Sequence, residues 1–334
     1  MIFDVRNDSC RAGAPGAERW VMIEALFFIP VGPNDGNRVA YTVESIRMHC
    51  NNYKIYLLVD GPDPSSLPPQ LSGSPDVDIQ VQLPPTKGNG GKVWLMYCLA
   101  MSRVLSDPNV SPNAIFIKMD ADALMLRAGL AERAQTIFAT RPAVGQLGQC
   151  FSDIRGRSTP SFGWGNFMRK IVGWRGLSRC LVGAIKTGEG LQAGFSAFFY
   201  VRALMKRAEA TERYRPGEYA LGGAFILRRE VIEALKSEGL LRPTPFRFLI
   251  HDQCEDVIMT PYVYAVGYSA MDDVSDGGIF GIEGKQFRVD PFVLKARGHY
   301  IIHPTKYGHQ AHGHMLNEAE LIAALNNNHD ETVR

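Results

Sequence analysis

Cysteine is scarce in this chain and never paired in spacing. The six cysteines of the 334 residues (Cys10, Cys50, Cys98, Cys150, Cys180 and Cys254) form no CxxC. That argues against a structural zinc site, and several lie inside apolar runs, as buried thiols of a reducing compartment do. No stretch approaches the roughly 18 apolar residues of a membrane-spanning helix. Residues 1–19 are polar, lack an apolar signal core and read as a flexible N-terminal arm. Net charge is also lacking: 36 basic residues stand against 34 acidic ones, a balance of +2 that disfavours a nucleic-acid partner. There is no internal repeat and no clean linker, so 20–334 reads as one domain. The expected setting is cytoplasmic, with peripheral contact at the inner membrane face left open.

Four apolar, β-rich runs occupy the first half, over Val21–Val31, Tyr53–Val59, Val77–Leu83 and Asn113–Met119. Val39, Val43 and Ile46 have helical spacing within Asn37–Cys50. Lys87-Gly88-Asn89-Gly90-Gly91-Lys92 opens a second helix over Val93–Leu105. Strands alternating with helices predict an α/β fold, a parallel sheet with helices on both faces. The second half is less regular. Strands are expected over 142–150, Tyr219–Leu227 with Gly222-Gly223 inside it, Ala265–Met271 and His299–Ile302. Helices are expected over Leu191–Arg207, Arg229–Glu238, Glu255–Tyr264 and Leu316–Leu325. Residues 272–298 read as turns, and Phe195–Val201 as core.

Asp120-Ala121-Asp122 directly follows the fourth strand. Two carboxylates one residue apart can share a hard divalent cation, which takes oxygen ligands and bridges to substrate phosphates. Ligands of open α/β sheets bind at the carboxyl ends of strands. A turn pair that merely ends the strand is the plainer reading. A second copy, Asp76-Val77-Asp78, precedes its strand (Ile79-Gln80-Val81) after a Ser-Pro turn and reads as a solvated strand entry.

Several further segments fall in a telling order. They are Ile55-Tyr56-Leu57-Leu58-Val59-Asp60-Gly61, then Asn89-Gly90-Gly91-Lys92, then Asp120-Ala121-Asp122, then Gly222-Gly223-Ala224-Phe225. Glu255-Asp256 comes next, with Ala265-Val266-Gly267-Tyr268 ten residues on. The set resembles the GT-A glycosyltransferases, most of all the broad family 2 group. The resemblance implies a Rossmann-like, mostly parallel sheet with helices on both faces and an elaborated C-terminal half. Residues 20–150 would bind the nucleotide-sugar, and 151–334 the acceptor. It implies a hexosyltransferase-type enzyme that uses Mn²⁺ or Mg²⁺ and inverts configuration. Asp256 would be the base with Glu255 beside it. Asp252 is a rival, and an acidic helix N-terminus is the plainer reading of all three. The donor would meet Asp60, Asn89, Gly91, Lys92, Asp120 and Lys306, and the acceptor Gly222, Gly223 and Trp164. The metal would take Asp120, Asp122 and a C-terminal histidine, His303 by preference or His299. His309, His312 and His314 read as a polar loop. The family's processive Q-x-x-R-W motif is absent, and Asp60-Gly61-Pro62 stands where Asp-Asp-Gly is expected.

The segment 151–186 carries seven basic residues against Asp153, interleaved with Phe162, Trp164, Phe167 and Trp174. Such a basic, aromatic insertion suits an anionic membrane, an acidic acceptor or a solvated excursion. The acceptor class stays open among a glycan, a lipid-linked group and another hydroxyl. Two other functions remain: a nucleotidyltransferase, with Gly32–Arg38 as its phosphate loop, and a non-catalytic nucleotide- or sugar-binding protein.

Overall fold

The computed structural model describes residues 22–33, 35–60, 67–82, 90–155, 172–186, 188–241, 255–283, 287–311 and 314–327. Strand β1 (Ile23–Val31) leads to helix α1 (Gly36–His49), β2 (Tyr53–Asp60) and β3 (Val77–Gln82). Helix α2 (Gly90–Val104), β4 (Val110–Met119), the two-residue β5 (Leu124–Met125), α3 (Leu130–Thr140) and β6 (Val144–Gly148) come next. The second half holds α4 (Trp174–Lys186), α5 (Gly190–Glu209), β7 (Ala224–Arg228), α6 (Arg229–Ser237), α7 (Glu255–Ala265) and β8 (Ser269–Asp272). It closes with β9 (Phe280–Ile282), α8 (Pro291–Ala296), β10 (Ile301–His303), the hairpin β11 (His309–Ala311) and β12 (His314–Leu316), and α9 (Glu318–Asn327).

A seven-stranded sheet in the order β3-β2-β1-β4-β7-β6-β8 forms the centre. All its pairings are parallel except those of β7, which runs against both β4 and β6. The apolar runs exist because both faces of the sheet are covered. Along β1, Leu26 and Phe28 pack into one core with α2, α5 and α7, while Ala25, Phe27 and Ile29 pack into the other with α1 and α3. Side chains alternate across a strand, so one run serves two cores. Helix α1 presents Val39, Val43 and Ile46, each fully buried, with Arg47 and His49 at its C-terminal end, where cations complement the helix dipole.

Strand order reverses between β1 and β4. After β1 the chain builds outward through β2 and β3, then returns to place β4 on the other side of β1. Adjacent loops therefore diverge at the carboxyl ends of β1 and β4, the crevice where open α/β sheets take ligands. A second sheet, β5-β10-β9, covers this end.

Some elements differ from the sequence expectation. Gly222 and Gly223 lie in a turn before β7, not inside the strand. The strand expected over Ala265–Met271 shortens to β8, because α7 continues to Ala265. The turn-rich 272–298 contains β9 and α8, and His309 and His314 belong to a hairpin rather than a loop. Phe195–Val201 is amphipathic: Ala197, Phe198 and Val201 are buried, whereas Phe195 and Phe199 are exposed. The four described cysteines are free thiols, and burial pushes those of Cys50 and Cys180 up to about 12.

At the strand entry, Asp76 is not simply solvated. Arg47 donates Nε at 2.9 Å and Nη2 at 3.1 Å to its two oxygens, and the hydroxyls of Ser74 and Tyr53 also donate to it. These groups tie the start of β3 to α1. The Arg47 guanidinium, against the opposing effect of burial, holds the Asp76 carboxyl well below the usual carboxylate range. A folded value below the unfolded one, about 3.9, adds stability that is complete above that pH and fades as pH falls below it. Asp76→Asn is expected to lose about 1–3 kcal/mol at pH 7 and to flatten the acid limb of the stability curve. Urea melts at pH 7 and pH 3 check both; an unchanged pH 7 midpoint would refute the assignment.

Candidate metal and ligand site

β4 ends at the switch point and delivers Asp120 and Asp122. The Asp120 amide donates to the Gly223 carbonyl at 3.0 Å, and the Ala123 amide to the Asp120 carbonyl at 3.1 Å, so the loop is a tight turn. The Thr42 hydroxyl of α1 lies 2.8 Å and 2.9 Å from the Ala121 and Ala123 carbonyls. The chain then pairs at once as β5 with β10, Leu124 opposite Ile302. That pairing brings His303, far along the chain, to Asp122. His303 Nε2 lies 3.3 Å from Asp122 Oδ1 and 3.5 Å from Asp120 Oδ2.

One ligand atom from each of Asp120, Asp122 and His303 lies within 4.8 Å of the others, and no second such cluster occurs among the described residues. Asp122 and His303 are buried, with relative exposures of 5 % and 6 %. His303 Nδ1 sits 3.2 Å from the Glu283 carbonyl, which can only accept, so Nδ1 carries the proton and donates. Nε2 thereby faces the two carboxylates. Nε2 and Asp122 Oδ2 are both buried without an aligned hydrogen bond. Two carboxylates converging on one imidazole nitrogen call for positive charge, which the neighbouring lysines supply in part and a bound cation would complete. The donor set of two carboxylate oxygens and one imidazole therefore fits a divalent cation, and Glu283 supplies the hydrogen bond that orients the imidazole.

Two lysines neutralise the carboxylates. Lys306 Nζ stands 3.0 Å from Asp122 Oδ2, and Lys118 Nζ 2.6 Å from Asp120 Oδ1. Lys118 also donates to the Gly222 carbonyl. Burial opposes ionisation of Asp122, but His303 and Lys306 outweigh it and hold the carboxyl well below its ordinary value.

A cavity of about 260 Å³ opens beside the cluster, lined by residues that include Asp35, Asp60, Met96, Asp120, Asp122 and Lys306. It brings the end of β2, through Asp60, and helix α2, through Met96, to the carboxylates. A larger cavity of about 670 Å³ lies by Arg155, Asp272 and Arg297 and holds none of the three cluster residues. Chemistry, not size, marks the first as the site.

Of the residues singled out from sequence, Asp60, Asp120, Asp122, His303 and Lys306 thus converge. Gly223 abuts them, for a Cβ there would stand 2.5 Å from His303 Cγ. Gly222 reaches them through its carbonyl. Gly91 and Lys92 lie in the first turn of α2, and Glu255 and Asp256 begin α7. Asn89, Trp164 and Asp252 fall outside the described residues. The alternative ligand His299 is not in the cluster; its Nδ1 lies 3.1 Å from the Gly278 carbonyl, and it is fully buried. Its place before β10 and not at the strand's end carries it away from the carboxylates.

Sequence reasoning missed the supports. Arg38 Nε donates to Glu318 at 3.0 Å, and the Thr305 hydroxyl lies 3.2 Å from the same carboxylate and 3.1 Å from the Asp122 carbonyl. Helix α9 is thereby tied to the Asp120–Asp122–His303 cluster. Nothing in the local pattern around Glu318 signals this. Lys118 did leave a signal, a lysine inside an otherwise apolar buried strand, two residues before Asp120.

No protein-family model matches the chain, and no curated protein sequence matches it. Solved structures with a similar course include the bifunctional glycosyltransferase WbbM, at 12 % identity and TM-score 0.44 over 97 % of this chain and 52 % of that one. A mannosyltransferase from Pyrobaculum calidifontis, determined with GDP-mannose and Mn²⁺, aligns at 14 % identity and TM-score 0.39 over 76 % of this chain and 56 % of that one. An active-site mutant of LgtC aligns at 9 % identity and TM-score 0.43 over 90 % and 95 %. The chain spans about half the length of the first two. All three scores lie below 0.5, so the fold rests on the strand order above and the site on its own geometry.

Proposed function

We propose that the chain is a metal-dependent GT-A glycosyltransferase that moves a sugar from a nucleotide-diphosphate donor to a hydroxyl acceptor. The observation that carries this reading is the meeting of Asp120, Asp122 and His303 at the switch point, beside a cavity that Asp120 and Asp122 line with Asp60 and Lys306.

Asp120, Asp122 and His303 would hold Mn²⁺ or Mg²⁺, which supplies Lewis-acid neutralisation of the departing diphosphate. Asp60, at the end of β2, can accept from the base or ribose. Lys306 is close enough to exchange its ion pair with Asp122 for one with a phosphate oxygen. The Gly90-Gly91-Lys92 turn starts α2 on the same side, where helix amides favour anions. Asp256, in the first turn of α7, is assigned as the base. As the acceptor oxygen bonds to the anomeric carbon, the bond to the diphosphate oxygen breaks, its electron pair leaves with the nucleotide, and Asp256 takes the acceptor's proton. A single displacement of this kind inverts configuration.

The test is thermal stabilisation by nucleoside diphosphates and nucleotide-sugars, with and without Mn²⁺ or Mg²⁺. A ligand that binds only the native state raises apparent stability, by about 2.7 kcal/mol at a hundred times its dissociation constant. One nucleotide class is expected to stabilise the protein only when metal is present. If every nucleotide left the folded protein unmoved, the donor-site reading would fall. Proton couplings at the product's anomeric carbon then decide inversion.

A further inference from the structure

Helices α4 and α5 carry an exposed apolar surface that the transfer chemistry leaves unused. On α4, Trp174 is 85 % exposed and Ile185 58 %, with Val182 on the same side. On α5, Leu191, Phe195 and Phe199 recur every four residues along the outer face, and Phe199 is 59 % exposed. Five large apolar side chains and a tryptophan facing water are costly, and contiguous apolar patches mark interaction sites. The inner faces are well used. The backbone of Cys180 and Leu181 approaches Gly194 so closely that a Cβ there would lie 2.9 Å from it, and the hydroxyls of Tyr200 and Tyr262 meet at 3.2 Å. The pair is thus anchored to α7 with its outer side unpartnered among the described residues.

Charge names the occupant. Residues 172–209 contain six basic and two acidic residues, a surplus of +4 in a chain whose total is +2. At 100° per residue, Arg202 and Lys206 continue the Leu191-Phe195-Phe199 stripe by one and two turns. Arg175 and Lys186 border Trp174 and Ile185 on α4. All four are exposed. An apolar stripe bordered by Lys and Arg with an aromatic at one end suits the plane of an anionic bilayer. There the rings enter the acyl boundary and the cations meet lipid phosphates. A purely acidic soluble partner would satisfy the cations but leave the rings in water.

We infer that the outer face of α4 and α5 docks this protein on an anionic membrane surface. The inference does not depend on the transferase reading. No described helix is long and apolar enough to cross a membrane, so the contact is interfacial.

The full chain is incubated with vesicles of phosphatidylcholine alone or mixed with phosphatidylglycerol, then sedimented. Binding is expected to the mixed vesicles only and to weaken as salt rises. Phe195→Ser with Phe199→Ser should abolish it. Arg202→Ala with Lys206→Ala should weaken it about fivefold for each cation removed. Arg202→Ala with Lys206→Ala should keep the wild-type melting temperature, and the Phe pair, whose Phe199 ring packs edge-on against Phe198, is compared only after circular dichroism shows it folded. Failure of the folded wild type to bind mixed vesicles overturns the inference, as does equal binding by the variants. Self-association of the wild type that the Phe variants abolish, without vesicle binding, would make the face an interface between copies and overturn it too.

Discussion

Asp122→Asn is expected to lower metal-dependent transfer about a thousandfold and to abolish metal-dependent stabilisation by the donor nucleotide. The change removes one negative oxygen and little volume. Its backbone role survives, because the Thr305 amide and hydroxyl bond to the carbonyl of residue 122 and not to the side chain. Lys306, 37 % exposed in its side chain, can turn to solvent once its partner is gone. The loss should fall chiefly on the cation, with a stability cost of about 1–3 kcal/mol at pH 7 as well, because a carboxyl held below its ordinary value stabilises the fold at neutral pH. A cation that neutralises a leaving diphosphate contributes several kcal/mol to the transition state, and each 1.36 kcal/mol is a factor of ten. The measurement is turnover and thermal shift across a metal titration, with a chelated sample as reference. Wild-type turnover in the variant, or in the chelated wild type, would remove the metal from the mechanism.

Gly223→Ala should be nearly as damaging for a different reason. A Cβ at this position would stand 2.5 Å from His303 Cγ and 2.8 Å from His303 Cβ. These atoms form the root of the ring, and β10 holds them in register with β5 and β9. The imidazole cannot yield without leaving the carboxylates. Overpacking of this kind costs about 1–3 kcal/mol. Displacing the imidazole should also weaken metal binding by at least the ten- to hundredfold that loss of an orienting group alone produces. Melts with and without Mn²⁺ separate the two effects: the metal-free melting point should fall modestly, and the increment from Mn²⁺ should shrink or vanish. A folded Gly223→Ala protein with wild-type Mn²⁺ affinity would show that His303 is not a ligand.

The two substitutions also mark how far local pattern reaches. Asp120 and Asp122 are legible because a buried strand announces itself by its apolar run, and the loop after such a strand in an α/β sheet sits at the ligand end. The central sheet from β1 to β4 is readable for the same reason, strands covered on both faces being continuous apolar runs. The turn at Gly222-Gly223 passes for strand in the sequence, since glycines beside Ala224 and Phe225 look like small residues of a β segment. Phe195–Val201 passes for uniform core because the run is apolar throughout. Only the packing of α5 on α4 and α7 decides that Phe198 is inside and Phe199 outside.

His303 stands between these cases. A C-terminal histidine at a strand end can be nominated from the resemblance to glycosyltransferases, yet His299 is an equal kind of residue four positions earlier. The register of β10 on β5 separates them, placing His303 beside Asp122 and leaving His299 against the Gly278 carbonyl. Arg38, Thr305 and Glu318 carry no local signal at all, because a hydrogen bond spanning 280 positions leaves no trace in spacing. Periodicity and short motifs record what a residue does with its near neighbours. They were enough for the alternation of strands and helices, the carboxylate pair and the side of the sheet on which it lies. Closure of the Asp120–Asp122–His303 cluster, the orientation of its imidazole and the exposed face of α4 and α5 were decided by contacts between distant segments, which exist only once the chain has folded.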